Sequence, residues 1–211
     1  MSLVLVAQAA ALVAAGGIAF GPVGFLGGSA TTTVVKLAHL LCFATSWGTT
    51  VWAVFIGGFI MFLNLPRHMM GDLRTKVFPA SFRLTAACTA ASAAAFAWLH
   101  LPWRAASPAE RRQLVVLVAA AGLDLANLLV FTPKTIEVMW QRHKLERRLG
   151  IGRVGSLDGM RSNARAAETC AALAALNGRF RTAHALSALA TVASAAGLAA
   201  HSCYLAGKLA L

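Results

Sequence analysis

Apolar residues run along this chain in long unbroken stretches, not in the one-sided stripes of a water-facing helix. Crossing a bilayer takes about 20 mostly apolar residues. Four stretches meet that length, at about residues 34–65, 78–101, 113–131 and 182–205. The first would extend about 48 Å as a helix, so it is expected to tilt or to project from the bilayer. Pro66 and Pro102 are natural stops after the first and second stretches. The interiors are rich in small residues, with an alanine-rich run at 86–95 and Ala183, Ser187, Ala190 and Ser194 along one side of the fourth. Small residues let helices approach closely where no hydrophobic effect drives them together. The expected fold is all-α, a polytopic transmembrane helical bundle with four core spans.

The segments outside those spans divide the chain further. Residues 1–33 precede the four-helix domain at 34–211. An apolar helix is expected at about 3–15, followed by a connector broken by Gly16, Gly17, Gly21, Pro22, Gly24, Gly27 and Gly28. A secretory signal normally opens with positively charged side chains, which this segment lacks; whether it spans, packs or is cleaved stays open. Residues 133–149 form a basic amphipathic segment with Thr132 as a possible cap and Pro133 in its first turn. It either lies at the head-group boundary or continues the third span with a kink at Pro133. A second, alanine-rich helix is expected at 161–177.

Composition sharpens this picture. Of 211 residues, 58% are hydrophobic and 12% charged, against about 25% charged in a soluble domain. The net charge is +12, but the basic residues flank the apolar stretches and no nucleic-acid motif accompanies them, so no nucleic acid is expected as a partner. The bilayer and its anionic head groups fit that charge better. Fourteen Lys and Arg fall on one side, thirteen in the segments after the first and third spans and Arg83 snorkelling from the second span, against five on the other, which predicts that both Arg-rich loops face the cytosol or its equivalent. Cys42, Cys88, Cys170 and Cys203 match no zinc or disulfide spacing and read as free thiols.

Signatures of catalysis are missing. The chain has no G-x-S-x-G, H-E-x-x-H, Walker loop or dinucleotide glycine pattern. It is read as no enzyme, with no catalytic, cofactor-binding or metal residues and no cofactor. The intramembrane polar candidates are His39, Asp124, Asn127, His184 and Ser187. Asp124 is the acid deepest in a span, where a charge costs about 2.5–3.5 kcal/mol on the insertion scale. It must face the bundle, pair or take up a proton, and one isolated acid favours a structural hydrogen bond over a proton or cation relay. His39, three residues after Lys36, is expected near the interface. His184, Ser187 and Thr191 share a stripe that Asn127 can meet, as interhelical contacts. Arg142, Lys144, Arg147 and Arg148 are the lipid head-group candidates.

The run K-L-A-H-L-L-C-F-A-T-S-W-G-T-T-V-W-A-V-F-I-G-G-F-I-M-F, then L-P-R-H, Gly71 and K-V-F-P-A-S-F, resembles the transmembrane protein 205 family. The motif positions are Trp47, Gly48, Trp52, Pro66, Arg67, His68, Lys76 and Pro79, with Pro133 in a second match, T-P-K-T-I-E-V-M-W. A third match pairs His184 with Ser187 and closes on Y-L-A-G-K-L. Thr132, Ala185 and Thr191 depart from the pattern, standing where an acid, a glycine and an asparagine are usual. The resemblance implies a small four-span protein of endomembranes or the cell surface, with an organellar membrane as the alternative. It implies no reaction, cofactor or solute. The expected role is non-enzymatic, in membrane organisation or trafficking. The alternatives are an accessory subunit among other membrane subunits, in a respiratory or photosynthetic complex, and an ion or small-solute transporter using Asp124.

Overall fold

A computed structural model describes residues 28–102, 104–151 and 155–208; the expected helix at 3–15 and its glycine-rich connector lie outside them. The described residues are almost wholly helical. The first span joins α1 (Gly28–Thr50), a π-turn (Val51–Gly57) and α2 (Gly58–Asn64); α3 (Arg67–Leu99) is the second. The third joins α4 (Pro108–Ala126), a π-turn (Asn127–Phe131) and α5 (Thr132–Arg148). A short helix, α6 (Ser156–Thr169), precedes the fourth span, α7 (Ala171–Ala206).

All four spans are long and apolar enough to cross a membrane. They run up and down, each packed on its neighbour in sequence, and α7 also touches α1. The ends of the helices follow local chemistry. Pro66 separates α2 from α3 because its fixed φ and missing N–H end the first span. Ser107 and Glu110 close a capping box at the start of α4, with Pro108 in the first turn. Gly150 ends α5 at φ +72°, a conformation that favours glycine, while the Ile151 amide returns to the Glu146 carbonyl at 3.0 Å.

Of the two alternatives for the basic segment the structure takes the second, and the alanine-rich helix is divided. The basic segment 133–149 continues the third span as α5, so Thr132 sits inside a helix and caps nothing. The π-turn before Pro133 is where the chain accommodates a proline without ending the helix. The helix expected at 161–177 is instead divided at Cys170, whose extended backbone separates α6 from α7.

A small apolar core of Phe43, Ala93, Phe96, Leu117 and Leu198 forms near the α3–α4 end of the bundle. On the outside, Trp52 is 63% exposed and Phe59 61%, continuing a band with Phe55 and Leu63. Such a band is costly in water and at home in lipid. Opposite the small core, Pro66 and Gly155 pair across the α2–α3 turn and the start of α6, which brings both Arg-rich segments to the same end.

Candidate functional site

Interhelical contacts inside the bundle are polar as often as apolar. Near the α3–α4 turn, His39 on α1 is buried among Phe43, Phe96 and His201. The ring points into the bundle, where Ser92 and His201 partner both its nitrogens. Its Nδ1 donates to the Ser92 carbonyl at 3.0 Å, and its Nε2 lies 3.2 Å from His201 Nε2. His201 Nδ1 in turn lies 3.0 Å from the Gln113 side chain. Keeping both rings neutral requires the Gln113 amide to present its NH2 to His201, an orientation that its symmetry in shape allows.

Further along the bundle, Ser46 and Thr89 share a hydrogen bond of 2.6 Å, and Thr89 donates to Asp124 at 3.2 Å. Ser194 from α7 donates to the Ala120 carbonyl, one turn before Asp124, at 3.5 Å. One turn on, Asn127 donates to Thr191 at 2.9 Å and to the Ser187 carbonyl at 3.2 Å, while Ser187 donates back to the Asn127 side chain at 2.8 Å. Asn127, Ser187 and Thr191 therefore meet inside the bundle, while Asp124, one turn away, is answered by Thr89 on α3. His184 is not part of this group; it stacks on Phe180 with centroids 5.6 Å apart, at a cleft wall.

At the opposite end stands an ionic cluster around Glu146, which is fully buried. It accepts from Arg67 at 2.9 Å, His68 at 2.7 Å and Asn163 at 2.6 Å. Four helix segments, α3, α5, α6 and α7, are thereby tied together, the last through Asn177 donating to Asn163 at 2.7 Å. Gly71 makes the approach of α3 to α5 possible, since a Cβ there would overlap His143 and press on Met139. Ligand atoms of His68, His143 and Glu146 lie within 4.8 Å of one another. Glu146 already accepts from three donors, however, and Arg67 and Arg142 supply positive charge beside it, so the set suits an ion-pair node better than a cation.

Beside this cluster a cleft of about 830 Å³ opens between the spans. It is lined by Arg67, Arg74, Arg142, His143 and Arg181 together with Phe62, Phe78, Phe82 and Phe180, and it reaches Ser187 and Thr191. Arg142 lies 3.8 Å over the Phe180 ring, and Arg74 is 5.8 Å from that of Phe78. The four head-group candidates thus divide. Arg142 turns inward and is buried, because Phe180 and Glu146 hold it there. Lys144, Arg147 and Arg148 are exposed on α5. Glu146, His201, Ser46 and Thr89 were not singled out by sequence; His143 and Glu146, three residues apart on one basic helix, were the available signal.

Comparison with known proteins agrees with the motifs. Residues 41–144 match the family model described as a domain of unknown function (DUF4149). The chain is 32% identical over 125 residues to transmembrane protein 205 of Danio rerio, a match covering 57% of this chain and 64% of the relative's length. No solved structure matches. With four apolar spans and these matches in agreement, the chain is a multi-pass integral membrane protein, similar over 57% of its length to transmembrane protein 205 of Danio rerio.

Proposed function

We propose that the protein acts without covalent chemistry in membrane organisation or trafficking, by holding a lipid-like guest in the cleft beside the Glu146 cluster. The membrane is an endomembrane or the cell surface, with the basic end on the cytosolic side, as the distribution of Lys and Arg favours. The observation that carries this reading is the cleft itself. Its volume of about 830 Å³ falls in the range of small-molecule sites. Its lining joins arginines to phenylalanines, with Phe78 and Phe82 about one and two turns deeper along α3 than Arg74, the mixed polarity of an amphiphile. The polar groups in the bundle are paired with each other rather than arranged as nucleophile, base and oxyanion donors, which supports a binding role over a catalytic one.

Lipid retention tests this. The full-length protein, purified in a mild detergent and exchanged extensively, should keep a stoichiometric lipid detectable by mass spectrometry. Ala188→Trp, which fills the cleft from α7, should lose it while keeping its melting temperature. Retention unchanged in that variant, or no lipid retained by the parent chain, would sink the reading.

A further inference from the structure

We infer that the guest is a phosphate-bearing lipid, its head group held by Arg74 and Arg142 and its acyl chain laid along Phe78 and Phe82. This rests on the guest-binding reading above and gives it a chemical class.

Charge is the first argument. Arginines line the cleft from three helices, and no carboxylate is among its described lining residues. Glu146, the acid behind the wall, is engaged by Arg67, His68 and Asn163. Arg142 approaches it only at 3.8 Å, beyond hydrogen-bond reach. Arg74 donates to the Gly58 carbonyl at 3.1 Å and has no acidic partner among the described residues. The cleft is thus basic in excess of its own counter-charge.

Unmet donors are the second argument, independent of the first. Arg142 is 8% exposed and His143 1% exposed, and both face the cleft. Arg142 Nε and His143 Nδ1 are buried without a hydrogen-bond partner, as is Arg74 Nε. The two guanidinium nitrogens can only donate, and buried donors normally find acceptors. A phosphate offers several oxygens in different directions and so can serve guanidinium groups arriving from α3 and α5 together, whereas one planar carboxylate is matched to a single fork. The rings of Phe78 and Phe180 under the two guanidinium groups fix the planes in which they donate.

The shape selects a lipid over a free phosphate. From Asn177 to Thr191 the cleft follows α7 for about 21 Å. A small anion would fill only the basic end and leave the phenylalanine-lined remainder to water, while an acyl chain covers it.

Competition binding with the full-length protein in dodecyl maltoside micelles tests the inference, with a fluorescent phosphatidic acid as the probe. Unlabelled phosphatidic acid should displace it. Diacylglycerol with the same chains should compete at least about tenfold more weakly, as expected for loss of a charge-assisted bond, and glycerol 3-phosphate should not compete. Arg74→Gln should weaken binding by about tenfold or more, Arg74→Lys by less, and Arg148→Gln, on the exposed side of α5, should leave it unchanged. Arg142→Gln should also weaken it; because that residue packs on Phe180, Arg74→Gln with an unaltered melting temperature is the deciding variant. Equal competition by diacylglycerol overturns the phosphate requirement and leaves a cleft for neutral lipid. Competition by glycerol 3-phosphate as strong as by phosphatidic acid overturns the lipid and leaves a soluble phosphate. No binding of the probe or of any lipid by the parent chain overturns both this inference and the guest-binding reading.

Discussion

The third span buries polar side chains twice, and the two places differ in how they are completed. At Asp124 and Asn127 the partners are neutral hydroxyl, amide and carbonyl groups from α1, α3 and α7, and the network closes on itself. Around Glu146 the partners are Arg67, His68 and the Asn163 amide, four helices contribute, and beside it nitrogens of Arg142, His143 and Arg74 lack hydrogen-bond partners. A closed neutral network specifies which helices meet and asks for nothing more. An open charged one has capacity left over. Inside a membrane, where an unpaired polar group is expensive, that surplus separates a binding wall from interhelical adhesive.

The contrast can be broken by substitution, with the largest effect at the ionic end. Glu146→Ala leaves Arg67 buried without its counter-charge and should destabilise the protein by about 3–5 kcal/mol, the usual cost of removing one partner of a buried pair. Thermal or denaturant unfolding in micelles would measure it. A loss near the surface-pair range of about 1 kcal/mol would mean that water reaches the cluster and that Glu146 is not its organising centre. A milder loss is expected at Asn127→Leu, roughly 0.6–1.7 kcal/mol, the range for interhelical hydrogen bonds in a bilayer. If this variant proved costlier than Glu146→Ala, the ranking of the two regions would be reversed. The smallest effect belongs to Asp124→Asn, which keeps an acceptor for Thr89 without a formal charge. Its stability should change by no more than about 0.5 kcal/mol in the unfavourable direction, since the desolvation of a carboxylate is removed with the charge. A larger loss would show that Asp124 is held as an anion by partners stronger than hydroxyl groups.

The architecture was readable because its cause is local. Long apolar stretches, Pro66 and Pro102 mark the spans without reference to anything distant. The inward orientation of Asp124 and Asn127 was readable too, because lipid leaves such groups no alternative. What escaped is pairing at long range. His39 is expected near the interface from its distance to Lys36, and nothing in that spacing points to its partner His201, 162 residues away. Arg142 reads as one of four equivalent cations on a basic helix, and only the arrival of Phe180 from α7 distinguishes it from Lys144, Arg147 and Arg148. Glu146, beside Arg147, resembles an ordinary surface acid until α3 brings Arg67 and His68 to it. The cleft belongs to no single segment, so no pattern along one stretch of chain announces it.

The π-turn at Asn127–Phe131 sets the angular phase between the two regions. In an uninterrupted α-helix, His143 would be rotated about 100° from Asp124 around the axis, since each residue advances the helix by that angle. A π-turn amounts to one inserted residue, which takes back about that rotation and returns both side chains to one side of the span. The turn therefore acts as a gear tooth: deleting a residue from it would keep every side chain of α5 and yet rotate Arg142, His143 and Glu146 away from α3, so in this stretch spacing is as much under constraint as residue identity.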